Sequence, residues 1–176
     1  MILAGPSMAG KSSLLNGLVA GKADLTTLDN RTVGLDIKML KLRDHRRRTH
    51  NGLQLQFSCY DVGGHDEYAD IHNLFFSLDS LYALLCDLSK PRPEDTNKQA
   101  QIEETVSKLV QWAASIQAYA PGSVVQLVGN HADEVVARSG SSREQTAQDM
   151  CDFYFERGKT GLDEQRGEQR REQEEL

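Results

Sequence analysis

Cysteine is scarce in this chain, positive charge is outweighed, and long apolar runs are missing; each shortage removes a class of protein. The three cysteines, Cys59, Cys86 and Cys151, are odd in number and widely separated along 176 residues, so a disulfide framework is not expected and a reducing compartment is. Cys59 and Cys86 fall inside apolar runs, where a free thiol behaves as a small core residue. No stretch approaches the roughly 20 apolar residues that cross a bilayer, and no basic segment leading into an apolar one opens the chain, so neither a membrane span nor a signal peptide is expected. A formal net charge of -6 argues against a general nucleic-acid partner, which would require a concentrated basic surface. These exclusions leave a cytoplasmic protein whose length suffices for one core without staples.

What the chain does have is a phosphate-binding signature near its start. Gly5-Pro6-Ser7-Met8-Ala9-Gly10-Lys11-Ser12 matches G-x-x-x-x-G-K-[ST], after a short apolar run (Met1 to Ala4) and before apolar residues at helical spacing from Leu14. Triphosphate oxygens are held best by converging backbone N–H groups, here those of Ser7, Met8, Ala9 and Gly10, and Gly5 and Gly10 let the main chain curl that tightly. Lys11 supplies a point charge for the β- and γ-phosphates, and Ser12 a hydroxyl for Mg²⁺. The helix beginning there aims its positive end at the anion and is expected to stop at Gly21.

Residues 22 to 31 lack periodicity and read as a loop leading into Thr32-Val33-Gly34. Val33, Leu35, Ile37 and Met39 then alternate with polar residues, as do Leu53, Leu55, Phe57 and Cys59, which predicts two half-buried strands with those apolar residues inward. Between them lies the basic stretch Arg43 to His50, closed by Asn51-Gly52, so an antiparallel hairpin with a basic tip is expected, the tip being a solvated loop end or, alternatively, a docking patch for an acidic partner or phosphate.

Asp61-Val62-Gly63-Gly64-His65 follows directly. A carboxylate at a strand end beside a phosphate loop can hold a Mg²⁺-bound water, and the Gly64 N–H can approach a γ-phosphate with no side chain in the way. His65 to Ser77 reads as an irregular helix with Ile71, Leu74 and Phe75 inward. Leu81 to Cys86 is continuously apolar, as a central parallel strand covered on both faces must be. Ile102, Val106, Leu109, Ala113 and Ile116 recur at spacings of three and four, a long amphipathic helix with Trp112 at the core edge. Val124 to Gly129 is a further strand.

Asn130-His131-Ala132-Asp133 stands at the end of that strand, on the rim where a doubly wound sheet binds its ligand. Asp133 can accept from both the N1–H and the exocyclic amine of guanine. Adenine presents a lone pair at N1 instead, and would leave the carboxylate facing it unpaired.

In this order the motifs resemble the small GTPases of the Ras-like group, and within it the Roc domain of ROCO proteins, over roughly residues 1 to 135. The subfamily likeness rests on the second-switch region running into Phe75-Phe76 and Leu81-Tyr82, the helix through Trp112 and Ile116, and Gly129-Asn130-His131-Ala132-Asp133-Glu134 with His in second place. The resemblance implies an α/β P-loop NTPase fold: a doubly wound, mostly parallel sheet with one antiparallel edge hairpin and helices on both faces. It implies GTP/GDP and Mg²⁺ as cofactors, with Lys11 and Ser13 on phosphates, Ser12 and Thr32 on the metal, Asp61 acting on the metal through water, Gly64 on the γ-phosphate, and Asn130 and Asp133 on the base. Slow hydrolysis of GTP is the implied activity, with a protein effector or regulator and a homodimer formed through a larger parent as implied partners.

Three departures qualify the likeness. His65 stands where many Ras-like proteins carry a water-orienting Gln, and with Thr32 and Lys11 completes the candidate catalytic set; its alternative is a solvent-facing residue at a helix start. His131 replaces a Lys whose stem would cover the guanine, a task a stacked ring could also perform. No apolar strand follows Asp133, so the last strand and the loop completing the guanine pocket are expected to be missing. The resulting division is a Roc-like domain over residues 1–160, cut short at its C-terminal end, and a charged low-complexity tail over 161–176. The rival readings are a non-catalytic GTP-binding or dimerisation module of a larger ROCO-type protein, and an ATP-dependent phosphotransferase, against which Asp133 argues.

Overall fold

The computed structural model describes residues 1–22, 32, 34–43, 54–64, 73–90, 95–139, 152, 153 and 156. His65, Ile71, Cys151, the hairpin tip over 44–53 and the tail over 161–176 lie outside the described residues.

Among the described residues five strands form one sheet: β1 (Ile2–Ala4), β2 (Leu35–Arg43), β3 (Gln54–Val62), β4 (Leu81–Asp87) and β5 (Val124–Asn130), ordered β2-β3-β1-β4-β5. β1 pairs in parallel with β3 and β4, and β4 with β5, while β2 and β3 run antiparallel. The helices bounded within the described residues are α1 (Lys11–Ala20), α2 (Lys98–Tyr119) and α3 (Ala132–Ser139), and a 3-10 turn covers Asn73–Phe75. The expected α/β architecture with its edge hairpin is what the chain forms. Among the described residues no strand follows β5, and no helix is long and apolar enough to cross a membrane.

Each sheet face has its own core. Leu3, Leu15, Leu40, Cys59, Ala83 and Leu85 gather under α1, and Ile2, Ala4, Val62, Tyr82, Leu84, Cys86, Leu109 and Ile116 under α2, with Trp112 packed at the edge of that second cluster. β4, whose central residues are all buried, lies between the two, as its unbroken apolar run requires. Burial pushes the Cys59 thiol up, which keeps it an inert filler.

Three packing expectations need correction, the first being Leu55 on β3, expected inward and 53% exposed. Ile37 and Met39 are 55% and 45% exposed, whereas Leu40, one residue out of phase with them, is buried. The alternation in β2 is real, but the register places Ile37 opposite Tyr60 and Met39 opposite Ser58, on the face that α2 covers further along the sheet. Leu40 shares the α1 face with Phe57. Leu74, expected inward, is 78% exposed; within the described part of the expected helix, a 3-10 turn covers Asn73–Phe75, and Phe76 makes the core contact instead, edge-to-face with Tyr82 at 5.4 Å.

Candidate functional site

The phosphate loop leaves β1 at Gly5 with φ 132° and passes so close to β4 that a Cβ there would lie 2.4 Å from the Leu85 carbonyl oxygen. Only glycine meets both conditions. Met8 at φ 68° and Gly10 at φ 83° supply the further left-handed residues that turn successive N–H groups toward one concavity. α1 begins at Lys11 and ends on Gly21, whose left-handed conformation lets its N–H bond the Gly17 carbonyl.

Lys11 is 6% exposed, and its Nζ donates to the carbonyls of Gly5 at 2.7 Å and Pro6 at 2.9 Å. Burial lowers its pKa from 10.5 to about 8, with the Asp61 charge opposing the fall. At 1.36 kcal/mol per tenfold this is a penalty of roughly 3 kcal/mol on the charged form. An anion in the loop would relieve it.

Three oxygens from distant parts of the chain meet beside that ammonium. Thr32 Oγ1 donates to Asp61 Oδ2 at 3.0 Å, and Ser12 Oγ lies 2.8 Å from Thr32 Oγ1. Thr32 has one proton, so Ser12 must be the donor in the second bond. Asp61 is 1% exposed, and its Oδ1 has no hydrogen-bond partner among the described residues. An orphaned buried acceptor costs about 1–3 kcal/mol, more when charged. Two hydroxyls and a carboxylate are hard donors, suited to Mg²⁺ completed by phosphate oxygens and water. Among the described residues no cluster of three His, Cys, Asp or Glu side chains offers another metal site.

β3 then delivers Gly63 and Gly64 to the same place. The Gly63 N–H bonds the Gly34 carbonyl at 2.9 Å, carrying the hairpin ladder past Val62. A Cβ on Gly64 would stand 2.4 Å from Lys11 Nζ and 2.5 Å from the Ser7 nitrogen, so any side chain at 64 would enter the phosphate loop.

On the other flank, Asn130 Nδ2 donates to the Ala9 carbonyl at 3.1 Å, and a Cβ on Gly10 would collide with that same nitrogen at 2.0 Å. Asn130 therefore braces the phosphate loop, a contact invisible in the motif that first singled it out. His131 adopts φ 59° and holds Nδ1 3.8 Å from Glu134, while its buried Nε2 is without a partner among the described residues. Asp133 is exposed in the first turn of α3.

The structure thus brings Gly5, Ser7, Met8, Ala9, Gly10, Lys11, Ser12, Thr32, Asp61, Gly64 and Asn130 to one rim, with His131 beside Gly10, while Asp133 follows on α3 with no contact to that rim recorded among the described residues. Ser13 lies on α1 next to Ser12. Asn16, Asp36 and Lys38, which the motifs do not single out, form a second polar link between α1 and the hairpin: Lys38 bonds Asn16 and pairs with Asp36. Their signal is faint, an Asn one turn after Ser12 and an Asp-x-Lys in the strand after Thr32.

A family model described as Ras of Complex, Roc, domain of DAPkinase matches residues 1–133. The chain is 32% identical over 140 residues to leucine-rich repeat serine/threonine-protein kinase 1 of Mus musculus, covering 78% of this chain and 6% of that protein. Over 100 residues it is 35% identical to a Roc-COR-CHAT protease from an unknown prokaryotic organism, covering 54% and 9%. Over 99 residues it is 30% identical to the probable serine/threonine-protein kinase roco5 of Dictyostelium discoideum, covering 56% and 3%.

Proposed function

The chain belongs to the Roc family of GTPase domains found in ROCO proteins, which implies guanine-nucleotide binding, and on that premise we propose that it binds Mg²⁺·GTP, hydrolyses it slowly to GDP, and acts as a switch. The observation that carries this reading is the meeting of Ser12, Thr32 and the half-satisfied Asp61 beside the buried Lys11. Separately these are ordinary polar residues; together they are a cation site next to an anion cradle.

When bound, the metal ion would neutralise charge on the β- and γ-phosphate oxygens. Lys11 would exchange its two carbonyl partners for phosphate oxygens, and the N–H groups of residues 7–13 would hold the diphosphate. Gly64 would offer its N–H to the γ-phosphate, so that Thr32 and Gly64 sense whether that group is present. Asp133 would select guanine, His131 would cover the base, and Asn130 would keep the phosphate loop in register with the base loop. His65 is proposed to position water for in-line attack on the γ-phosphorus.

The curated relatives are longer: the chain spans less than a tenth of each. A homodimer, an effector and a cytoplasmic setting are proposals about such a parent, and the kinase and protease activities named above are those proteins' own.

Competition binding and single-turnover hydrolysis test the reading. GDP and GTP should displace a labelled guanine nucleotide, with ATP weaker by at least about a hundredfold, and Lys11→Ala should remove binding. Equal competition by ATP would overturn it. Phosphate release no faster than in Lys11→Ala would leave a non-catalytic binding module.

A further inference from the structure

Beside the three cation-binding oxygens stands a charged pair that the reading above does not use. The register of the hairpin sets Asp36 directly opposite Asp61, which puts both carboxylates on one face with Cβ atoms about 5 Å apart. Like charges so placed repel, and burial of Asp61 at 1% exposure strengthens the repulsion. Lys38, two residues along β2 and so on the same face, closes an ion pair of 3.2 Å with Asp36 and donates to Asn16 Oδ1 on α1.

Asn16 follows Ser12 by one helical turn. Two polar links therefore run in parallel from α1 to the hairpin, Ser12–Thr32–Asp61 and Asn16–Lys38–Asp36. The first holds an unsatisfied carboxylate oxygen, Asp61 Oδ1. The second holds a carboxylate whose charge is offset by one lysine.

We propose that Asp36 adds negative potential to the divalent-cation site at Ser12, Thr32 and Asp61, and that Lys38 sets how much of it the cation feels. This rests on the Mg²⁺·nucleotide reading of the site. Asp36 does not coordinate; it acts through space as a tuning residue, and Lys38 restrains it. The Asp36 and Lys38 side chains are 49% and 32% exposed, so solvent screens the effect to a several-fold change in cation affinity rather than a loss of binding.

The test is the Mg²⁺ concentration that half-maximally slows release of a fluorescent GDP analogue. Asp36→Asn should raise that midpoint about three- to tenfold, and Lys38→Met, which keeps the apolar stem, should lower it by a similar factor. The double variant restores the local charge balance and should fall within about twofold of the wild type. This crossing pattern separates tuning from damage, because a disturbed fold weakens the site in every variant. Should Lys38→Met not fold, Lys38→Gln replaces it, with circular dichroism as the check.

If GDP release from the wild type ignores Mg²⁺, the reading of the cation site itself fails. A wild type that responds while Asp36→Asn leaves the midpoint unchanged, or while a folded Lys38 variant raises it, overturns the tuning role alone.

Discussion

Among the described residues Lys11 carries the clearest pH signature. Its proton is held less tightly in the folded chain than in the unfolded one, so between about pH 8 and 10.5 unfolding takes up a proton and the Lys11 contribution to stability rises with pH. Nucleotide binding works in the opposite direction. A phosphate beside the ammonium raises its pKa, so binding takes up a proton above about pH 8. Affinity for GDP should therefore fall as pH rises from about 8 to about 9, by no more than about tenfold per pH unit, and calorimetry in buffers of different ionisation enthalpy should detect the proton. A flat affinity across that window would mean that Lys11 does not meet the phosphates.

At the scale of elements, the turn before β4 shows how a central strand is anchored. Tyr82 is fully buried; its hydroxyl accepts from the Ser77 N–H at 2.7 Å and donates to the Ser77 carbonyl at 3.0 Å, while Phe76 meets its ring edge-to-face. Tyr82→Phe keeps the ring contact and strips both Ser77 groups of their partner. The expected cost is about 1–2 kcal/mol in urea unfolding, with nucleotide affinity unchanged, because the turn lies at the end of the sheet away from the phosphate loop. At this same scale the sequence reading of β2 fails. The alternation identified a strand, yet both its faces carry apolar residues, Ile37 and Met39 on one and Leu40 on the other. Which face is buried depends on what α1 covers, and α1 is remote in sequence. Leu74 misleads for a similar reason: it lies in a 3-10 turn over Asn73–Phe75, whose inward side is not the one that α-helical spacing predicts.

Across the whole molecule, the site is assembled from β1, α1, the segment at Thr32, β3 and β5, so a bound nucleotide would clamp the sheet at its centre and at one flank. GDP at about a hundred times its Kd should then stabilise the domain by about 2.7 kcal/mol, and the same concentration of ATP by far less. Thermal unfolding followed at two wavelengths checks this, and a rise in Tm with either nucleotide alike would contradict the guanine assignment. β5 is the outermost strand on its side among the described residues, with Val124 66% and Val125 40% exposed. Gln126 Nε2 donates to the Leu127 carbonyl of its own strand.

The sequence by itself determined the glycine-rich loop after β1, the order of the motif-bearing loops, the edge hairpin and the buried β4, since each depends on contiguous residues: N–H groups that must converge, a turn that must reverse, a run that must avoid water on both sides. Tertiary structure alone decided that Asn130 braces Ala9, that Thr32 joins Ser12 to Asp61, that Asp36 faces Asp61 under the restraint of Lys38, and which side of β2 meets the core. Those facts belong to strand register and to which helix lies over which face. Both come from pairing segments far apart along the chain, and local spacing carries no record of that pairing.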